Sequence, residues 1–94
     1  MRQRQARQAG IDIQDTEENR PVVDGIIEDN PQAEVSNLPG LIRIRTEGKL
    51  RVNRETVEKH RGDEWDPADI QLAIVSMAGN LDIEEDYFEI GWRH

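Results

Sequence analysis

The chain has 94 residues, of which 35% are apolar, and it carries a formal net charge of −8 at pH 7. This length fits a single domain, and the acidic charge disfavours binding to free nucleic acid or to an anionic membrane surface. The chain contains no cysteine, which excludes disulfides, thiolate catalysis and cysteine-ligated metals and fits a cytoplasmic protein.

The first 14 residues predict a flexible N-terminal arm. Arg2, Arg4 and Arg7 alternate with glutamine and alanine, and the ends of a chain are commonly poorly ordered. No apolar region of the signal-peptide kind follows this basic start, and no stretch approaches the ~18 apolar residues of a membrane span. Residues 15–94 are therefore expected to form one folded domain.

The middle of the chain changes from helical to strand periodicity. Residues 15–31 predict a first helix whose apolar face is formed by Val22, Val23, Ile26 and Ile27. Across residues 42–53, apolar and mostly basic residues alternate on both sides of Glu47-Gly48. This alternation predicts a β-hairpin with an apolar inner face and a basic outer face.

The C-terminal third predicts short helices followed by strands. Residues 53–62 predict a second helix that Gly62 ends, and Asp66-Pro67 starts a third helical turn. "IQLAIVSM" predicts a buried strand and "YFEIGW" a last strand, with Trp92 in the core. Together these elements predict an α+β fold: a compact single domain with a mainly antiparallel sheet, two to three short helices and the flexible arm.

No catalytic set is recognisable. A lone helical histidine, His60, is more typical of a structural residue than of a metal ligand. The acidic run that follows Asn80 starts like a calcium-binding loop, but Tyr87 and Arg93 replace its diagnostic glycine and glutamate. We therefore predict that this run is a solvated connection between two strands.

Positive charge is concentrated in one part of this acidic chain. Seven of the twelve basic residues are Arg43, Arg45, Lys49, Arg51, Arg54, Lys59 and Arg61. They form either an ordinary polar face whose arginines pair with acids of the same chain, or a docking face for an acidic protein surface. RNA is a weaker alternative, because no aromatic residues are interleaved with these arginines.

The chain resembles the regulatory proteins, also called coupling or effector proteins, of soluble diiron multicomponent monooxygenases. The residues that carry the resemblance are "NPQAEVSNLPGLIRIRTEGKLRVNRETVEKHRG" and "DPADIQLAIVSMAGNLDIEEDYFEIGWRH". The phenol hydroxylase and toluene monooxygenase versions are similar in length, and the methane monooxygenase version is longer. The resemblance covers about residues 20–94.

The resemblance implies a non-catalytic subunit that binds no cofactor, no metal and no small-molecule substrate. Its partner would be the diiron oxygenase (hydroxylase) component, on which it tunes oxygen activation, substrate access and coupling. Carried over by position, the docking segment is residues 75–80, which are Val75, Ser76, Met77, Ala78, Gly79 and Asn80. The basic face adds Arg43, Arg45 and Arg51 as candidate partner-binding residues.

Two other functions remain open from the sequence. One is a generic protein-interaction module that docks on a different complex. The other is a small enzyme with an unrecognised site, which would need a pocket containing titratable groups with perturbed pKa values.

Overall fold

The computed structural model describes residues 7–92, which form two antiparallel sheets and three short helices. The strands are β1 (Gln8–Gln14), β2 (Glu34–Leu38), β3 (Leu41–Glu47), β4 (Leu50–Asn53), β5 (Ile74–Ala78), β6 (Asn80–Ile83) and β7 (Tyr87–Gly91). The helices are α1 (Arg20–Asp29), α2 (Arg54–Arg61) and α3 (Ile70–Ala73), and a 3-10 turn (Pro67–Asp69) precedes α3. The predicted α+β class with mainly antiparallel sheets is confirmed.

The larger sheet, called sheet A, has the strand order β2-β3-β1-β5. Strand β1 pairs with β3 on one side and with β5 on the other, so it lies inside the sheet. The prediction of a flexible arm over residues 1–14 is therefore wrong for Gln8–Gln14, and residues 1–6 lie outside the described residues. Ile11 and Ile13 are fully buried, which explains why this segment is ordered.

The smaller sheet, called sheet B, has the strand order β4-β7-β6. The predicted hairpin between β3 and β4 is wrong, because both edges of β3 are already occupied by β1 and β2. Strand β3 instead forms a hairpin with β2 around Pro39-Gly40, and β4 pairs with β7. Gly48, with φ of 86°, lies where the chain passes from sheet A to sheet B.

One apolar core joins both sheets to the helices. Sheet A contributes Ala9, Ile11, Ile13, Ile42 and Ile44, and sheet B contributes Leu50, Val52, Phe88 and Ile90. Val22, Val23 and Ile26 of α1, Val57 of α2, Trp65, Ile70 and Ala73 complete it. Every helix and both sheets bury apolar area against this one core, so the described residues form a single domain.

The two tryptophans have different environments. Trp65 is buried, and its ring lies 6.3 Å from that of Phe88. Trp92 is exposed, so its predicted place in the core is wrong: its indole Nε1–H donates to the carbonyl of Gln8 and the Arg7 guanidinium stacks on its ring. These contacts connect the two ends of the described chain.

No helix within residues 7–92 has the length and apolar character needed to cross a lipid bilayer.

Candidate docking surface

Residues 75–78 lie at an edge of sheet A, and residues 79–80 lead from that edge into sheet B. Within residues 7–92, strand β5 pairs only with β1, and a register shift between Asp12 and Ile13 makes this pairing irregular. The prediction of a buried strand over residues 70–77 is wrong, because residues 70–73 form α3 and the strand itself is exposed. Val75 and Met77 are 53% and 43% exposed. An edge strand with apolar side chains is a natural site for a partner.

The end of this segment links the two sheets. Gly79 has a φ of 125°, a conformation that residues with side chains rarely adopt. A Cβ atom there would lie 3.0 Å from Ile90 Cγ2 and 3.1 Å from the backbone nitrogen of Gly91. Asn80 is exposed and begins β6, where it pairs with Gly91. Gly79 is therefore needed for the turn from β5 to β6, whether or not it also contacts a partner.

The acidic run after Asn80 was predicted to be a solvated connection, but its first part belongs to a strand. Strand β6 includes Asp82 and pairs with β7, and Leu81 and Ile83 pack against the core. The connection to β7 is a tight turn, in which the Glu84 N–H donates to the carbonyl of Tyr87. Only Glu84, Glu85 and Asp86 remain as a solvated connection.

Arg43 and Arg45 lie together on the face of sheet A that points away from the core. Both pair with Asp12 on the neighbouring strand β1. Nε and Nη2 of Arg43 lie 3.1 and 3.3 Å from the two carboxylate oxygens of Asp12, and Nη1 of Arg45 lies 3.1 Å from one of them. Both arginines therefore pair with an acid of the same chain, and their part in docking stays a prediction.

Asp12 also connects this arginine pair to the edge strand. The Ser76 hydroxyl donates a hydrogen bond of 2.6 Å to Asp12 Oδ2. Burial, which leaves Asp12 2% exposed, acts to raise its pKa, but the hydrogen bonds from Arg43 and Ser76 and the charge of Arg45 outweigh it. The pKa of Asp12 therefore lies below its ordinary value, and the carboxylate is ionised at neutral pH.

Arg51 belongs to a different surface. It projects from β4 in sheet B, where its Nη1 lies 3.3 Å from Glu89 and its guanidinium lies 3.7 Å above the Tyr87 ring. The structure therefore does not place Arg51 opposite Arg43 and Arg45, because β3 and β4 do not pair. Lys49 also contacts Glu89, at 3.5 Å.

Sequence reasoning missed two residues of this surface. Asp12 was assigned to the arm, although the alternation in Ala9-Gly10-Ile11-Asp12-Ile13 is a strand signal. Leu72 was assigned to a buried strand, but it projects from α3 next to β5 and is 85% exposed.

One cleft of the described residues is open and mostly acidic. It has a volume of about 550 Å³ and is lined by Asn53, Arg54, Glu55, Thr56, Glu58, Glu64 and Asp86. It lacks the apolar lining typical of small-molecule sites. Across residues 7–92, no three histidine, aspartate or glutamate side chains converge as metal ligands would.

Comparison with known proteins decides the family. Residues 7–91 match the sequence profile of the MmoB/DmpM family. The chain belongs to the MmoB/DmpM family. This family member is 39% identical over 84 residues to the phenol 2-monooxygenase stimulatory component DmpM of Pseudomonas sp. (strain CF600). The match covers 89% of this chain and 93% of that relative, so the two proteins correspond over nearly their whole lengths.

Solved structures show the same architecture as this MmoB/DmpM protein. A chain from the structure of a phenol hydroxylase–regulatory protein complex superposes with a TM-score of 0.86 and 37% identity, over 93% of this chain and all of the other. The soluble methane monooxygenase regulatory protein B superposes with a TM-score of 0.74, over 99% of this chain and 70% of the other. At 16% identity, this second match shows a shared fold.

Proposed function

We propose that this protein is the regulatory component of a bacterial phenol-type diiron monooxygenase, and that it docks on the hydroxylase component. The observation that carries the proposal is the 39% identity, over nearly the full length of both chains, to a stimulatory component of a phenol monooxygenase. The protein has no catalytic role of its own in this proposal. It raises the activity and coupling of its partner, and it acts in the cytoplasm with that enzyme.

Residues 75–80 and the arginine pair form the proposed docking surface. The exposed side chains of Val75 and Met77 supply apolar contact area, and Leu72 extends that area at the start of β5. Burial of such apolar area against a partner is favourable, because it removes that area from water. Arg43 and Arg45, on the outer face of the same sheet, fix the orientation of the complex through charge. Arg51, on sheet B, is a peripheral part of the surface.

Regulation follows from a difference in affinity. If the hydroxylase exchanges between resting and active arrangements, a protein that binds the active arrangement more tightly increases its population. A difference of about 1.4 kcal/mol in binding free energy changes the ratio of the two arrangements tenfold. The protein needs only a surface that complements one arrangement better than the other.

The rival function is an interaction module of another complex. It uses the same surface and differs only in the partner. Failure to bind a phenol-type hydroxylase, together with specific binding to a different protein, would favour it.

The proposal is tested by reconstituting the hydroxylase and its reductase from the same source. Product formed per NADH consumed is measured while this protein is titrated through a one-to-one ratio with the hydroxylase. We expect a saturable rise in rate or coupling. If no rise occurs and no complex forms during size-exclusion chromatography, the proposed function is wrong.

Two matched variants locate the docking surface in the same titration. Met77→Lys changes an apolar residue on β5, whereas Leu38→Lys changes a similarly exposed one, at 38%, on the opposite edge of sheet A. We expect Met77→Lys to raise the half-saturating concentration about tenfold or more, a typical loss for a central interface residue, and Leu38→Lys to leave it within about twofold. Equal effects of the two variants would contradict the assignment of β5.

A further inference from the structure

A row of four polar residues crosses the outer face of sheet A. The strand register places Ser36 opposite Arg43, Arg43 opposite Asp12, and Asp12 opposite Ser76. The row therefore runs from one edge strand to the other, and Asp12 is its central acceptor. Asp12 accepts hydrogen bonds from Arg43 and Ser76, and Arg45 lies within ion-pair distance.

The fold makes room for this arrangement. Gly10 is the ladder neighbour of Arg45, and a Cβ atom at Gly10 would lie 2.7 Å from Arg45 Cδ and 2.1 Å from the Ile44 carbonyl oxygen. The Arg45 side chain therefore lies across a position that only glycine leaves open. Its Nη1 also donates to the carbonyl of Ile44 at 3.0 Å, which fixes the guanidinium group against the sheet.

Several N–H donors of the two arginines remain available to a partner. Arg43 uses Nε and Nη2 on Asp12, and Arg45 uses Nη1. Nη1 of Arg43, and Nε and Nη2 of Arg45, make no hydrogen bond within residues 7–92. Glu34 lies directly opposite Arg45 on β2, but within residues 7–92 the two side chains form no ion pair. Two guanidinium groups share one carboxylate, so Arg43, Arg45 and Asp12 together carry a charge of +1 in a chain of net charge −8.

We propose that Asp12 is a positioning residue for docking, which holds Arg43, Arg45 and the Ser76 position of β5 as one preorganised surface for carboxylates of the hydroxylase. The inference rests on the proposed function and adds to it a residue and the chemistry of the partner. Asp12 is buried under the arginines, so it acts through them and does not itself contact the partner.

The physical reason is preorganisation. Arg43 and Arg45 are two residues apart on one strand, so their like charges repel on the same face. Without a shared carboxylate, both long side chains would sample several rotamers and lose that freedom on binding. The Asp12 carboxylate offsets the repulsion and restricts the rotamers before the partner arrives. The remaining N–H groups then present a planar fork suited to a carboxylate.

The test compares Asp12→Asn with a matched carboxylate elsewhere. Glu58 on α2 also accepts from an arginine, Arg54, and from a second donor, the backbone N–H of Trp65. Asp12→Asn and Glu58→Gln each replace the carboxylate by its amide, and both are expected to lower the melting temperature. We expect only Asp12→Asn to raise the dissociation constant for the hydroxylase, by about tenfold, in titration calorimetry well below the melting temperature.

Ionic strength supplies a readout that a purely structural role would not change. The dissociation constant of the unsubstituted protein should rise with added salt, since salt screens the arginine–carboxylate contacts, and that of Asp12→Asn should rise less. If Asp12→Asn binds within about twofold of the unsubstituted protein with the same salt dependence, the inference is wrong. If the unsubstituted protein does not bind the hydroxylase, the proposed function itself is wrong.

A second variant covers the case in which Asp12→Asn does not fold. Arg43→Lys keeps the positive charge but cannot contact both carboxylate oxygens through a planar fork. We expect it to fold and to bind about fivefold or more weakly than the unsubstituted protein. Unchanged binding would show that the positive charge at position 43 is sufficient for docking. This result would contradict preorganisation by Asp12.

Discussion

Gly79 shows how one residue carries a conformational and a packing constraint at the same time. Its φ of 125° is strained for any residue with a side chain, and a Cβ atom would press against Ile90 and Gly91 of β7. Gly40, in the turn between β2 and β3, has a φ of 71°, but a Cβ atom added there would have no neighbour within 4 Å. Comparison of alanine substitutions at the two glycines therefore separates the cost of backbone strain from the cost of close packing.

We expect Gly79→Ala to destabilise the protein by about 3 kcal/mol, because strain and overpacking add. Gly40→Ala should cost only about 1 kcal/mol, the usual penalty for a side chain in the left-handed region. Urea denaturation of both variants measures the difference. Equal losses would mean that β7 moves away from Gly79 at little cost. Weaker docking by a Gly79 variant is informative only after this loss of stability is taken into account.

At the scale of elements, the end of α1 organises sheet B and α2. The carboxylate of Asp29 accepts from the backbone N–H of Asn53 at 2.8 Å and from the Thr56 hydroxyl at 2.9 Å. Asn53, the N-cap residue of α2, makes no capping hydrogen bond with its own side chain. Asn30 donates to the carbonyl of Arg51 and accepts from its N–H, so its amide replaces a missing strand at the outer edge of β4. Residues at the end of α1 therefore bind the start of α2, through Asp29, and the free edge of β4, through Asn30.

Replacement of Asp29 tests this capping role. We expect Asp29→Ala to lower the free energy of unfolding by about 1–2 kcal/mol, as the loss of a helix cap does. Asp24→Ala is the control, since Asp24 lies on the same helix, is similarly half-buried and makes no hydrogen bond within residues 7–92. It should change the stability by less than about 0.5 kcal/mol. Similar losses for both variants, measured by thermal and urea unfolding, would contradict the cap.

At the scale of the whole molecule, the strand nearest the N-terminus lies inside the larger sheet. Strand β1 joins the β2–β3 hairpin to β5, so the edge strand of the proposed docking surface is held by residues at the opposite end of the sequence. Its side chains Ala9, Ile11 and Ile13 are fully buried in the common core. The pairing of β5 with sheet A therefore depends on the residues of β1.

Two truncations test this dependence. Deletion of residues 1–14 removes β1, and we expect a chain that lacks cooperative unfolding. Strand β5 would lose its partner, β3 would lose one of its two partners, and three core side chains would disappear. Deletion of residues 1–6 ends before β1 and should retain the thermal transition of the full chain. Thermal melting of both forms, followed by circular dichroism, shows whether each has a cooperative transition. A cooperative transition in the longer deletion would show that the rest of the core folds without β1, and it would contradict this dependence.

The chain's local patterns predicted most helices and strands. The first two helices, the Asp66-Pro67 start of the third turn and the last strand follow from spacing, capping residues and alternation, which act over a few neighbours. The family resemblance also came from sequence, because its motifs keep their order and spacing along the chain. These features depend on residues close together in the chain.

Only the tertiary structure decided the strand partners and the polar network. Alternation shows which face of a strand is apolar but not which strand it joins, so β3 and β4 were paired wrongly, and β1 was missed at the terminus. The pairing of Asp12 with Arg43 and with Ser76 spans 31 and 64 residues of sequence, which no local pattern encodes. Sequence alone determined the first two helices, several of the strands and the family. The shared core determined the sheet order, and with it which charges meet, because burial of apolar faces is satisfied only by the assembled fold.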